Sequence, residues 1–118
     1  PSSAASDVYK RQIIKKKENI MAIMEICLIP IGTKETSVSK YVASASKVLE
    51  AEGVKHKLNP MGTVIQADPD KCFEVARKMQ EEVFKAGSDR VYTVIKMDDR
   101  RDKDHDMDYK VKSVKDKM

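Results

Sequence analysis

Ile23-Met-Glu-Ile-Cys-Leu-Ile-Pro-Ile-Gly-Thr33 and Asn59-Pro-Met-Gly-Thr-Val-Ile65 decide the fold of this chain. Each is an apolar strand pattern punctuated by Gly and Thr, and a helical pattern follows each. From Ala22 to Ile31 both parities are mainly apolar. Ala22, Met24, Ile26, Leu28 and Pro30 lie on one side, and Ile23, Glu25, Cys27, Ile29 and Ile31 on the other. That predicts a central strand buried on both faces. Gly32 to Glu35 form a turn, and Thr36 or Ser37 is placed to cap a helix. Val38, Tyr41, Val42, Ala45, Val48 and Leu49 then recur at helical spacing up to Gly53, where a left-handed terminator belongs.

Outward from these segments, Val54 to Asn59 and Met61 to Ala67 read as two short strands joined at the turn dipeptide Asn59-Pro60. Asp68-Pro69 starts a second helix, since Pro is preorganised for the first helical position and needs no donor there. Phe73, Ala76, Met79, Gln80 and Val83 give it one mostly apolar stripe, and Gly87 ends it. Arg90 to Met97 alternates as a last strand. A charged stretch from Asp98 to Asp108 follows, and Tyr109, Val111 and Val114 mark a short terminal helix or arm. The order β-α-β-β-α-β is the split β-α-β, or ferredoxin-like, α+β sandwich; the name implies no iron-sulfur cluster. Two helices cover one face of such a sheet, leaving Ile23, Cys27 and Ile29 on the other. An apolar sheet face in water is a liability, so a homo-oligomer, at least a dimer, is expected.

At 118 residues and 13.4 kDa the chain has room for a single domain with a core that needs neither disulfides nor metal. Cys27 and Cys72 form no disulfide framework and no C-x-x-C motif, which favours buried thiols in a reducing, cytoplasmic setting. The net charge is +4, but Lys10, Arg11, Lys15, Lys16 and Lys17 against Asp7 and Glu18 place most of that excess in residues 1–20. The remainder is nearly balanced and offers little footprint for a polyanion. RNA-recognition domains share this topology, but their central strands carry aromatics on which bases stack. The first and third strands here contain no Phe, Tyr or Trp, so no nucleic-acid partner is expected.

Pro1 to Gln12 has no apolar period and resembles a translated sequencing-adapter fragment. Lys15-Lys-Lys-Glu-Asn-Ile20 before Met21 is what a purine-rich ribosome-binding site encodes when it is translated. The expectation is a non-native leader over 1–20 and a single domain over 21–118. A signal-peptide reading of Lys15 to Ile31 fails because Glu25 interrupts the apolar run and no small-residue cleavage site follows. That run is also far short of the roughly 20 residues a membrane span needs.

Glu25 stands out as a carboxylate mid-strand among apolar residues. A buried carboxylate must be paired, hydrogen-bonded or protonated, so it is expected either to bridge Lys57 or Lys96 or to meet a cationic or amidine-like ligand. The loop from Gly32 to Ser37 opens onto a helix N-terminus, which favours an anion or a hydroxyl, although simple capping explains it as well. Gly62-Thr63 would put a small residue and a hydroxyl beside the first strand, as the wall of a slot or as an ordinary bulge. Asp102, Asp104 and Asp106 have calcium-loop spacing, but Met107 replaces the required glycine and Ser113 the bidentate Glu. His56 and His105 are isolated from cysteine or carboxylate partners at ligand spacing, which argues against zinc and against Cys-His chemistry.

Glu25 to Thr33, the Ser37-x-Ser39-x-Tyr41-Val42 helix start, Asn59 to Ile65, and Arg90-Val91 leading to Asp98-Asp-Arg-Arg-Asp102 together resemble the small thiamine-binding protein family related to YkoF-type proteins. The resemblance covers Met21 to Met118. It implies a protomer that dimerises through its sheet and often forms a dimer of dimers, hence a tetramer. It also implies binding of thiamine or a related pyrimidine compound, without catalysis and with no cofactor. On this reading Glu25, Thr33, Ser37, Asn59 and Thr63 are the candidate ligand-binding residues: Glu25 for the thiazolium or a pyrimidine nitrogen, the hydroxyls for the polar ends, with apolar walls excluding water. A structural or regulatory assembly module without a ligand is the alternative. One departure is noted: the family commonly has Glu-Gly after Thr-Val-Ile, where this chain has Gln66-Ala67.

Overall fold

β1 (Ala22–Ile31) forms because its alternate side chains are needed on the core side, and it runs through the middle of a four-stranded antiparallel sheet. A computed structural model describes residues 20–104 and 106–118. All of the expected leader except Ile20 lies outside the described residues, as does His105. After β1 come α1 (Ser39–Glu52), β2 (Lys55–Asn59), β3 (Gly62–Ala67), α2 (Pro69–Lys85), β4 (Arg90–Asp99) and α3 (Met107–Lys115). The strand order β2-β3-β1-β4, with α1 and α2 on one side, is the split β-α-β arrangement that the sequence order predicts.

The sheet register sorts every strand residue to a face. Met24 sits between Ile65 and Met97, and Ile26 between Thr63 and Ile95, so these belong to the helix side. There they meet Tyr41, Ala45 and Leu49 of α1 and Cys72, Val75, Ala76, Met79 and Val83 of α2 in one core. Glu25, between Val64 and Lys96, and Cys27, beside Val94, belong to the opposite, open face. β1 is therefore buried on the helix side and half-buried to exposed on the other, rather than buried on both faces.

Local chemistry sets the helix ends. Asp68 caps α2 by accepting from the Lys71 amide at 2.9 Å, with Pro69 in the first turn. α1 starts at Ser39 after Val38, without a side-chain cap. The expected caps Thr36 and Ser37 lie upstream of it, and Ser37 Oγ pairs with Ser39 Oγ instead. At its far end Gly53 takes the left-handed conformation (φ 66°) that closes the helix. Phe73 departs from the predicted stripe and is 59% exposed; Cys72 and Val75 take the inward positions.

Past β4 the chain turns over the open face. Gln66 Oε1 accepts from the Met107 amide at 2.8 Å, Lys55 donates to Asp106 at 2.6 Å, and Lys110 pairs with Asp98 at 2.5 Å. These contacts tie α3 to the Lys55, Gln66 and Asp98 end of the sheet, with Met107 as its buried anchor. Gln66, the departure from the family pattern, thus docks the terminal helix.

α1 and α2 are also joined by charge. Glu52 accepts from Lys71 at 2.5 Å and from Lys78, while Glu74 bridges the same two lysines. The hydrogen bonds from Lys71 and then Lys78 hold the Glu52 carboxyl down at about 2. A depressed carboxyl pKa stabilises the fold above the ordinary value near 4.5, and that stabilisation is lost as pH falls toward 2. Glu52→Gln is therefore expected to flatten the acid limb of a stability-versus-pH curve between those values while leaving its shape near neutrality unchanged. Urea titration should also show a loss of about 2–5 kcal/mol for Leu49→Ala, which opens a cavity in the core, and about 1 kcal/mol for Asp68→Ala, which removes the cap.

Candidate functional site

β1 is longer than its neighbour. Its pairing with β3 ends at Ile26 opposite Thr63, whereas pairing with β4 continues to Ile31 opposite Arg90. The Ile26 carbonyl points toward β3, since its oxygen lies 3.3 Å from where a Cβ on Gly62 would stand. Backbone direction alternates along a strand. The Leu28 N–H and C=O and the Pro30 C=O therefore point the same way, beyond the end of β3, with no strand of the described residues beside them. Pro30 is tolerated mid-strand for the same reason: its missing donor falls on the unpaired side.

That bare edge forms one wall of a cavity of about 200 Å³. The β2–β3 hairpin tip, Leu58 to Gly62, closes a second side, and Val38, Val42, Ala45 and Ser46 of α1 and its cap close a third. Met79 of α2 also lines it. The walls are largely apolar, with Thr63, Asn59 and Ser46 as the polar side chains. Thr63 is 4% exposed. Ser46 Oγ is buried and has no hydrogen-bond partner among the described residues. A flat, mostly apolar molecule with a few polar atoms on its rim matches this wall chemistry.

The five residues singled out from the sequence fall in three places. Asn59 and Thr63 line the cavity. Thr33 and Ser37 sit in the exposed loop before α1, where Thr33 Oγ1 donates to the Glu35 carbonyl at 2.9 Å; neither lines the cavity. Glu25 is on the open face, so its carboxylate and the Thr63 hydroxyl project from opposite sides of the sheet. Its partner is Lys96 at 3.2 Å, one of the two lysines expected. Gly62 lies where the two environments meet: it borders the cavity, and a Cβ there would stand 3.2 Å from Glu25 Cγ.

Sequence reasoning missed Ser46 and the Leu28 backbone. Ser46 follows Val42 by one helical turn, so a hydroxyl on the apolar stripe was the available signal. Pro30 inside a strand pattern was the signal for the unpaired edge. The remaining chemistry is structural. Burial pushes the Cys72 thiol up to about 11, which keeps it protonated and unreactive near neutrality. His56 is hydrogen-bonded through Nδ1 to the Val54 carbonyl at 2.8 Å. Asp102 is clasped by Arg100, with two N–H groups donating at 2.6 and 2.8 Å, which holds its carboxyl at about 2. Among the described residues no group of three or more His, Cys, Asp or Glu is arranged to hold a metal ion.

A profile of thiamine-binding proteins matches residues 24–115, a span that includes every strand but the first residues of β1 and both sheet-packing helices. The chain belongs to the thiamine-binding protein family. Among its relatives, the UPF0045 protein of Methanothermobacter thermautotrophicus is 46% identical over 83% of this chain and 100% of its own length. The UPF0045 protein YqgV of Bacillus subtilis is 45% identical over 80% of this chain and 94% of its own. The crystal structure of MJ1052 from Methanocaldococcus jannaschii superposes with a TM-score of 0.74 at 34% identity, covering 80% of this chain and 96% of that one. A Thermotoga maritima protein described as a candidate for thiamine biosynthesis or salvage shares the fold at a TM-score of 0.68 and 12% identity, over 80% and 98% of the two chains. These solved neighbours carry the ferredoxin-like sandwich. No helix among the described residues is long and apolar enough to cross a membrane.

Ser46 gives the site a direct test. An unpartnered buried hydroxyl costs stability, so Ser46→Ala should leave the urea midpoint unchanged or raise it. A fall of more than about 1 kcal/mol would mean that the hydroxyl is satisfied in the free protein.

Proposed function

We propose that this member of the family binds thiamine or a related pyrimidine or thiazole compound in the cavity between β1, the hairpin tip and α1, without catalysing a reaction. The bare Leu28 edge is the observation that carries this reading. An aminopyrimidine presents a ring nitrogen, which accepts, beside an amino group, which donates. A strand residue presents an N–H and a C=O side by side, so Leu28 can donate to the nitrogen while its carbonyl accepts from the amino group. Apolar walls cover the ring faces, and Thr63, Asn59 and Ser46 supply polar contacts around the rim. Glu25 is outside this arrangement and already has a cation beside it. Thr33 and Ser37 belong to the loop that leads into Val38 at the cavity wall.

The absence of turnover is part of the same proposal, and the family's designation as binding proteins supports it. So is a soluble, cytoplasmic setting. Self-association is proposed too, with a second copy covering the open face, where Ile29, Tyr92 and Val94 are exposed. Those residues favour the second reading, an assembly module whose sheet face exists for subunit contacts alone.

Calorimetric titration of thiamine separates the readings. Saturable binding with no conversion of the ligand is expected. The 4-oxo analogue, in which the amino group becomes an acceptor and the ring nitrogen a donor, reverses both Leu28 hydrogen bonds and should bind at least about tenfold more weakly. Thr63→Val should weaken thiamine with little effect on folding. Heat-silent mixing at high protein concentration would remove the ligand reading and leave the assembly module; conversion of thiamine to a product would show an enzyme instead.

A further inference from the structure

Ser46 and Val42 stand one helical turn apart on α1, and both line the cavity. A serine inside a helix ordinarily settles its hydroxyl by bonding the carbonyl one turn earlier or by facing water. Ser46 does neither: its oxygen is buried and has no hydrogen-bond partner among the described residues. The buried Ser88 hydroxyl, by contrast, donates to the Arg90 carbonyl at 2.7 Å. A buried hydroxyl left unpaired costs stability, and an alanine would hold the same helical position without that cost. The hydroxyl borders a cavity, so the partner it lacks is a group that enters that cavity.

The walls narrow what that group is, given the reading of the cavity as a site for thiamine or a related compound, on which this inference rests. None of the described residues lining the cavity is charged. The thiazolium ring of thiamine is a cation, and a cation taken out of water needs a counter-charge. It therefore stays at the mouth, in water, and the neutral aminopyrimidine goes inside. A cavity of about 200 Å³ is small for a ligand pocket and suits a single substituted ring. From the β1 wall, Leu28 takes the amino group and the ring nitrogen next to it. The pyrimidine then keeps one further polar atom, its second ring nitrogen, which accepts a hydrogen bond and does not donate. Ser46 belongs to the α1 wall, so it meets a different part of the ring from Leu28. We infer that Ser46 donates its hydroxyl hydrogen to the second ring nitrogen and so fixes the ligand with its pyrimidine inward. A ring carrying C–H at that position leaves the hydroxyl unpaired in the complex, so Ser46 selects a pyrimidine over a pyridine.

Calorimetry on two proteins and two ligands tests the assignment. Wild type and Ser46→Ala are each titrated with thiamine and with the analogue in which C–H replaces the second ring nitrogen. Ser46→Ala removes an unpaired hydroxyl and is expected to fold as the parent does, with the urea midpoint as the check. Wild type should bind the analogue about tenfold more weakly than thiamine. Ser46→Ala should bind thiamine about as weakly as wild type binds the analogue, and should not distinguish the two ligands. The analogue's other differences, basicity above all, act on both proteins and cancel in the comparison. Equal binding of the two ligands by wild type, or a preference for thiamine retained in Ser46→Ala, would overturn the role of Ser46 and leave thiamine binding in place. No saturable binding of thiamine by wild type would overturn the inference together with the reading beneath it. Competition checks the orientation: the aminopyrimidine half alone should displace thiamine and show the same dependence on Ser46. Displacement by the hydroxyethylthiazole half and not by the pyrimidine would reverse the orientation and overturn the assignment.

Discussion

The dependence of the whole structure rests on the backbone pairing of β1. For its first half β1 is hydrogen-bonded on both sides, to β3 and β4; for its second half it is bonded to β4 alone. The doubly paired half carries Met24 and Ile26 into the core, where Ile65, Leu49 and Met79 surround them. The singly paired half supplies the bare edge at the cavity. One strand thus anchors the fold and frames the site, and the difference between its halves is set by where the hairpin Asn59-Pro60 turns back. Pro30 suits that division, since a proline can sit only where no donor is required.

Burial and charge then divide the labour around this strand. The core is closed from the helix side by two helices clamped together at Glu52, Lys71 and Lys78. The open face holds the polar anomalies, Glu25 with Lys96 and the tethers of α3. Glu25 has the room to lie flat because Gly62, next to it, has no side chain. A carboxylate among apolar residues is thereby satisfied at the surface by a lysine, an arrangement that asks nothing of a ligand. The cavity, on the other side, carries its polarity on hydroxyls, an amide and the backbone, which suits a neutral heteroaromatic edge better than a bare ion.

Several of these features could be read from the residues. The order of elements followed from period alone: alternation around Ala22 to Ile31, helical spacing from Val38 to Leu49, and Asp68-Pro69 as a helix start. The family resemblance rested on the same segments and proved right. Thr63 and Asn59, singled out at the Gly62-Thr63 step and the Asn59-Pro60 turn, both line the cavity. Glu25 lies apart from them, on the open face that the alternation along β1 already assigned to it with Ile23, Cys27 and Ile29, and Lys96, one of the two lysines expected, stands beside it. Ser37 was an attractive cap by composition, yet α1 begins two residues later at Ser39.

What the sequence by itself determined is the set of elements, their order and the identity of the apolar stripes, because period and turn chemistry are local properties of the chain. What only the tertiary structure decided is which polar groups meet. Face and register depend on how far each strand pairs with its neighbour, and that is set by contacts between residues distant in sequence. The unpaired Leu28 edge and the unsatisfied Ser46 hydroxyl are of this kind: each is defined by a partner that is missing among the described residues, which no local pattern records.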